Sequence, residues 1–285
     1  MKRVIRYFLK GVLWQNRVVQ FFLPVIDLVD YCLRAVNGLT KLPSYSVRVR
    51  SNVFDGQLGG RNFLTNGKRI LEQLQRNTSI SPASDVLEIG CGCGRTAYAL
   101  TEYLESGSYT GMDIERVSLN DCMNSKYFSK MKNFKFDLLD VHNPEFNPNG
   151  KHDASVYKFP YADNSFDVIF LISVFTHMLS DDVENYIKEI SRMLRPDGYA
   201  MISVFLMDQG TKFNHIDFKY HQKDHYYTHE ELPEIAVGYY SDYFNQNFKL
   251  HGTSVDFTTV EGRWRTPDQL QFTGQFSQDF LVVRK

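Results

Sequence analysis

The segment Asp85-Val86-Leu87-Glu88-Ile89-Gly90-Cys91-Gly92-Cys93-Gly94-Arg95-Thr96 constrains this chain more than any other. An apolar strand runs into glycines at 90, 92 and 94, and a helix spanning about Thr96 to Glu105 follows at once. Glycine at such a turn admits backbone conformations barred to residues with a Cβ, and it lets a ligand approach the main chain. The helix aims its amide-rich N-terminus at the same spot. Strand, glycine loop and helix together read as a nucleotide-binding turn. A dinucleotide fingerprint, G-x-G-x-x-G, serves a pyrophosphate. Here the spacing is G-x-G-x-G and an acid, Glu88, precedes it.

A second acid falls where a ribose-binding group belongs. Asp113 closes the strand Ser108-Tyr109-Thr110-Gly111-Met112-Asp113 and follows Gly94 by 19 residues. A βαβ unit places the acid for the ribose hydroxyls roughly 20 residues on. A solvated loop aspartate is the plainer reading, and the coincidence of both features argues against it. The arrangement Glu88-x-Gly90-x-Gly92-x-Gly94, with Asp113 after it, resembles the first motifs of the class I S-adenosylmethionine (SAM) methyltransferases. That cofactor carries an amino-acid end in place of phosphates, so the resemblance implies an acid near the loop that helps hold its ammonium.

The rest of the chain extends the likeness. Phe134 to Val141 alternates like a third strand, and Asp140-Val141 match the family's adenine contact, with Asp137 as a rival. Phe159 to Ser173 is similar to the family's turn into a fourth strand, a near-continuous apolar run as a doubly covered parallel strand requires. Asp181 to Leu194 has helical periodicity, stopped by Arg195-Pro196-Asp197-Gly198, where Asp197 replaces the first of two glycines usual in the family. Tyr199 to Phe205 starts a fifth strand, and Phe248 to Val255 and Gln278 to Val283 complete the sheet, the last strand antiparallel as in the family. Strands alternating with helices specify an α/β fold. The resemblance, covering roughly residues 60 to 285, implies a doubly wound, mostly parallel seven-stranded Rossmann-like sheet with an N-terminal helical extension. Residues 1–64 form that extension and a lid segment, 65–285 the catalytic domain, and 206–246 an insertion on its substrate side. The implied cofactor set is Glu88, Gly90, Cys91, Gly92, Gly94, Asp113, Ile114, Asp140, Val141 and Ser173.

Composition bounds the partners. A chain of 285 residues suits one α/β domain with appendages, and a formal charge of −1 gives no global attraction to nucleic acid. Cys32, Cys91, Cys93 and Cys122 do not make a disulfide framework, so reduced thiols and a cytoplasmic location are expected. The pair Cys91 and Cys93 lacks a second pair to complete a zinc site.

Residues 1–38 pattern as amphipathic helix. Arg3, Arg6, Lys10 and Arg17 lie along one stripe, with Val4, Ile5, Phe8, Leu9, Val12 and Leu13 opposite. Further on, Asp27, Asp30 and Arg34 oppose Phe22, Val25, Ile26, Val29, Cys32, Leu33 and Val36. Pro24 and the aspartates interrupt any transmembrane run. Two readings follow: peripheral contact with the inner face of a membrane, or a cap whose apolar faces pack on the catalytic domain or on a second subunit in a homodimer. The cap is the default, because amphipathic helices mostly serve cores. In Phe54 to Phe63, Gly59 and Gly60 read as a hinge or a linker before a helix from about Thr65 to Gln75.

Methyl transfer is an in-line displacement that needs no covalent enzyme nucleophile, though a hydroxyl acceptor benefits from a base. His177, in Ser173-Val174-Phe175-Thr176-His177, follows the fourth strand at the ligand-binding carboxyl edge, and it reads as general base or as a packing residue. Ser173 would sit by the methionine end of the cofactor. His221, His225 and His229 would stack on a helix and hold zinc, but Thr228-x-x-Glu231 resembles a capping box that starts a helix at His229 and separates them. His215 belongs to the same cluster. Tyr226, Tyr227, Tyr239, Tyr240, Tyr243 and Phe244 suit stacking on a sugar or aromatic ring, a lid core or a dimer contact. Trp264 reads as a stacking platform or core. The favoured function is SAM-dependent methylation of a hydroxyl on a small molecule or glycan. The rivals are a catalytically idle module using its N-terminal helices for membrane or protein contact, and a NAD-linked oxidoreductase.

Overall fold

The computed structural model describes residues 17–51, 57–207, 216–260, 262 and 278–285. Helices α1 (Arg17–Val36), α2 (Tyr45–Ser51) and α3 (Arg61–Asn77) lead into an alternating series. It comprises β1 (Val86–Ile89), α4 (Arg95–Leu100), β2 (Tyr109–Asp113), α5 (Arg116–Met123), β3 (Phe134–Leu138), β4 (Phe166–Leu171), α6 (Ser180–Met193) and β5 (Leu194–Val204). Strands β6 (Tyr220–Gln222), β7 (His225–Tyr227) and β8 (Val237–Tyr239) form a small separate sheet, and α7 (Ser241–Leu250), β9 (Ser254–Val260) and β10 (Asp279–Arg284) close the fold.

The main sheet has seven strands in the order β3-β2-β1-β4-β5-β10-β9. Strands β1 to β5 run parallel, whereas β10 is antiparallel to both β5 and β9. Order reverses between β1 and β4, so their carboxyl ends diverge and open the crevice where ligands of such sheets bind. Apolar residues on alternate sides of the central strands explain the two layers. Val86, Val168, Phe170 and Met201 pack with Phe63, Ile70 and Leu74 of α3 and Ala97 and Leu100 of α4. Leu87, Ile89, Ile169, Leu171 and Ile202 pack on the other face with Val183, Ile187 and Ile190 of α6 and Phe244 and Phe248 of α7. Each such side chain, fully removed from water, contributes roughly 1.5–3 kcal/mol before entropy is counted.

The amino edge of the sheet is clasped by Arg195, which donates to Asp167 at 2.8 Å and to Asp85 at 2.9 Å. Asp197 sits at φ 64°, a left-handed conformation that suits glycine and that Asp tolerates, and its carboxylate accepts from Arg284 at 2.9 Å. Two expected elements differ. No helix starts at His229, because His225 to Tyr227 is a strand and residues 228–232 are turn and bend. Phe248 lies in α7 rather than in a strand, because its side chain joins the core at helical spacing from Phe244.

In the described part of the N-terminal extension, α1 turns its polar stripe rather than its apolar face to the rest of the chain, so packing of that apolar face on the catalytic domain is not seen. Asp30 and Arg34 of α1 are buried, and so is Arg48 of α2. The Asp30 carboxylate accepts from Arg34 Nε at 2.7 Å, from Arg48 Nη2, and from the Gly59 amide at 2.8 Å. Arg48 also donates to the carbonyls of Pro43 and Gln57, and Arg34 to that of Leu42. Asp27 accepts from both the amide and the hydroxyl of Ser46. Gly59 and Gly60, at φ 83° and 74°, form the turn that brings α3 against this cluster, leaving no room at Gly60 for a Cβ beside Leu42. The polar stripe of α1 therefore faces the protein and its apolar side faces out.

Removing Asp30 leaves two guanidinium groups buried without their counterion. Asp30→Ala is expected to destabilise the fold by about 3–5 kcal/mol, as a broken buried ion pair does. Asp163→Ala, at an exposed salt bridge to Arg192, is expected to cost at most about 1 kcal/mol. Urea denaturation of the three proteins checks the contrast.

Candidate cofactor and active site

The glycine loop is held by the end of β2. Amides of Gly90 and Cys91 both donate to the Met112 carbonyl, at 2.8 and 3.0 Å, and Gly94 donates back to Cys91 at 2.9 Å. Gly90, Gly92 and Gly94 all have positive φ, at 80°, 54° and 79°. A Cβ on Gly90 would lie 2.5 Å from Val174, so the loop also fits against the segment that follows β4.

Asp113 completes this arrangement. One carboxylate oxygen accepts from the Gly92 amide at 2.6 Å and the other from the Glu115 amide at 2.8 Å. Burial pushes its pKa up to about 6, against the opposing pull of those two amides. The Leu139 amide donates to the Asp113 carbonyl at 2.9 Å, which carries Asp140 and Val141 alongside. Val141 is buried and Asp140 half-exposed. Asp137, the rival, is engaged elsewhere: it accepts from Tyr161 at 3.0 Å and pairs with Lys135. Ile114 packs partly buried at the rim of the core.

Glu88, at the foot of the loop, is buried. It is only 4% exposed, with Tyr109 donating to one oxygen at 2.6 Å and Thr96 to the other at 3.1 Å. The carboxylate lies beneath the loop and ties β1, β2 and α4 together. Burial raises its pKa to about 7.

At the end of β4, Ser173 adopts φ 61°, uncommon for a residue with a Cβ. Its amide donates to Ser203 Oγ at 2.7 Å, and both serine hydroxyls donate to Gln278 Oε1, at 3.0 and 2.7 Å. The neighbouring Asp279 is buried and accepts from the amides of Leu206 and Gly262. His177 lies one turn further on, 8% exposed, with Nδ1 2.9 Å from the Glu234 carbonyl and 3.7 Å from Glu145, and its ring edge-on to Phe146.

The structure thus brings the glycine loop, Asp113, Ile114, Asp140, Val141 and Ser173 to one edge of the sheet, with His177 beyond. Two contributors escaped the sequence reading. Arg50 of α2 pairs with Glu115 at 3.1 Å, and Ser51 lies 3.2 Å from where a Cβ on Gly92 would stand, so α2 covers the loop. Sequence spacing carries no signal for either contact. Among the aromatic residues of the insertion, Tyr239 and Phe244 are core, whereas Tyr220 and Tyr227 stack on each other at 5.3 Å. His221 and His225 lie on adjacent strands, and no group of three or more His, Cys, Asp or Glu among the described residues could hold a metal ion. His215 and Trp264 lie outside the described residues.

Strand order, the antiparallel last strand and a glycine loop clasped by a ribose-side acid are the architecture of the class I SAM-dependent methyltransferases. Residues 87–202 match the family described as a methyltransferase domain. The cofactor is SAM. Methyltransferase GfsG of Streptomyces halstedii is 29% identical over 138 residues, covering 48% of this chain and 43% of that protein. The fatty-acid O-methyltransferase of Mycolicibacterium smegmatis is 26% identical over 116 residues, 41% of this chain and 35% of that protein. The chain thus spans less than half the length of these curated relatives. The crystal structure of the Burkholderia thailandensis 1,6-didemethyltoxoflavin-N1-methyltransferase shares the fold with a TM-score of 0.51 at 16% identity, covering 89% of this chain and 87% of that one.

The residues present suit this cofactor, since positive-φ glycines open the backbone and the acids favour a cationic ligand. Glu88 gives a stability signature of its own. From its ordinary 4.5 to about 7, the unfolded chain releases a proton that the fold retains. Stability therefore falls as pH rises through that window, by about 3 kcal/mol in all. Thermal melts without cofactor between pH 5 and 8 are expected to show Glu88→Gln gaining on the wild type as pH rises.

Proposed function

We propose that this enzyme transfers the methyl group of SAM to a hydroxyl oxygen of a small molecule or glycan, with His177 as general base. One observation carries the oxygen preference: the imidazole is fixed at the carboxyl edge of β4 through Nδ1 and the Glu234 carbonyl. A carbonyl accepts only, so the neutral ring keeps its proton on Nδ1 and Nε2 is the basic nitrogen. A relative whose name gives a fatty-acid oxygen as acceptor supports the same chemistry.

SAM supplies an electrophilic methyl group on a sulfonium. The chain's task is to hold the acceptor oxygen in line at about 3–3.5 Å and to take up its proton. Asp113 would bind the ribose hydroxyls, Ile114 and Val141 would flank the adenine with Asp140 at its edge, and Ser173 would stand at the methionine end. Tyr220 and Tyr227, on the hairpin of the insertion, offer rings for an acceptor to stack on.

Two substitutions separate binding from chemistry. Asp113→Ala removes a ligand contact and frees the Gly92 amide, so it is expected to weaken SAM binding about 10- to 100-fold, read as a smaller SAM-induced rise in melting temperature. His177→Ala is expected to keep that rise and to lower the rate of S-adenosylhomocysteine formation with a hydroxylated acceptor about 10²–10⁴-fold. A loss under a few-fold, or turnover confined to amine or carbon acceptors, would refute the oxygen reading.

A further inference from the structure

Helix α1 is inside out for a water-exposed element. Between residues 20 and 36 its charged residues, Asp27, Asp30 and Arg34, face the protein and are consumed by Ser46, Arg48 and the Asp30–Arg34 pair. The outer surface between residues 20 and 36 carries no exposed charge. It consists instead of side chains such as Phe21 (75% exposed), Phe22, Val25 (58%), Leu28 (62%), Tyr31 and Val36 (87%). A ridge of this kind marks an interaction site.

Charge identifies the occupant. The first 26 residues contain Lys2, Arg3, Arg6, Lys10 and Arg17 and no acid, whereas the rest of the chain has six more acids than bases. The sequence is therefore polarised in charge, its run of bases coming before the residues of the apolar ridge. A cationic, aromatic-bearing segment leading into an uncharged apolar helix face has the chemistry of an interfacial anchor. A negatively charged surface attracts that end and repels the body, which orients the molecule. No helix among the described residues is long and apolar enough to cross a membrane.

We propose that the outer face of α1, together with the cationic residues that lead into it, docks on an anionic lipid bilayer. The docked helix stands one step from the cofactor, because Asp27 and Asp30 hold α2, and α2 lies over the glycine loop. The surface thus places the active edge within reach of acceptors at the bilayer.

Flotation of the full chain with extruded vesicles tests this, comparing phosphatidylcholine alone with a phosphatidylcholine–phosphatidylglycerol mixture at low and high salt. Binding is expected only to the anionic vesicles and is expected to fall with salt. Val25→Asp/Leu28→Asp, and separately Gln at Lys2, Arg3, Arg6 and Lys10, are each expected to weaken it at least about a hundredfold. Both variants should keep the SAM-induced rise in melting temperature, which shows that they remain folded. No flotation with anionic vesicles at low salt overturns the proposal. So does flotation that the substitutions leave unchanged, or a dimer in sedimentation velocity that Val25→Asp/Leu28→Asp dissolves while lipid binding is absent.

Discussion

The clasp of the β1–α4 loop by the end of β2 is the constraint on which the rest of the site depends. Two loop amides share the Met112 carbonyl and a third is taken by the Asp113 carboxylate. Three residues with positive φ then follow each other at alternate positions, which only glycine permits without strain. From beneath, Glu88 joins the strand before the loop to Tyr109 and to Thr96 in the helix after it. Loop, ribose-side acid and supporting acid are therefore one mechanical unit built from two adjacent parallel strands.

Much of that unit was legible in the sequence because its parts are local. Glycines at fixed spacing, an acid about a helix and a strand later, and alternating apolar segments specify a parallel sheet and the edge at which a ligand sits. The side of the sheet on which a carboxylate lies is less legible. Glu88 falls within a strand whose neighbours are all buried, and its inward direction depends on Tyr109 arriving from β2 to receive it. Long-range partners left no mark at all: Gln278 reaches the Ser173–Ser203 pair across about 100 residues of chain, and α2 reaches the loop through Arg50 and Ser51.

Helix α1 shows that periodicity marks two faces without saying which one the rest of the chain receives. Apolar and charged residues segregate along α1 as the pattern requires. Orientation, however, follows from what the partner surface offers, and here it offers Arg48, Ser46 and the Gly59 amide. A buried carboxylate with two arginines and an amide is well satisfied, so the polar stripe goes inward despite the apolar area left exposed. Buried ion pairs are weak sources of net stability but strong sources of unique geometry in some proteins, and this cluster fixes α1, α2 and the start of α3 relative to one another.

The same electrostatics account for the choice of cofactor. Asp113 and Glu88 are each pushed by burial toward neutrality, to about 6 and about 7, so near neutral pH their ionised forms are less favourable than in water. A pyrophosphate at the glycine loop would add negative charge to that strain. A sulfonium with an ammonium group relieves it, because opposite charge nearby favours the ionised carboxylates. A glycine loop at a helix N-terminus favours an anionic group, and a carboxylate or a phosphate can supply it. The ribose-side acid is common to both kinds of site, so it is Glu88, buried beneath the loop, that weighs against further negative charge.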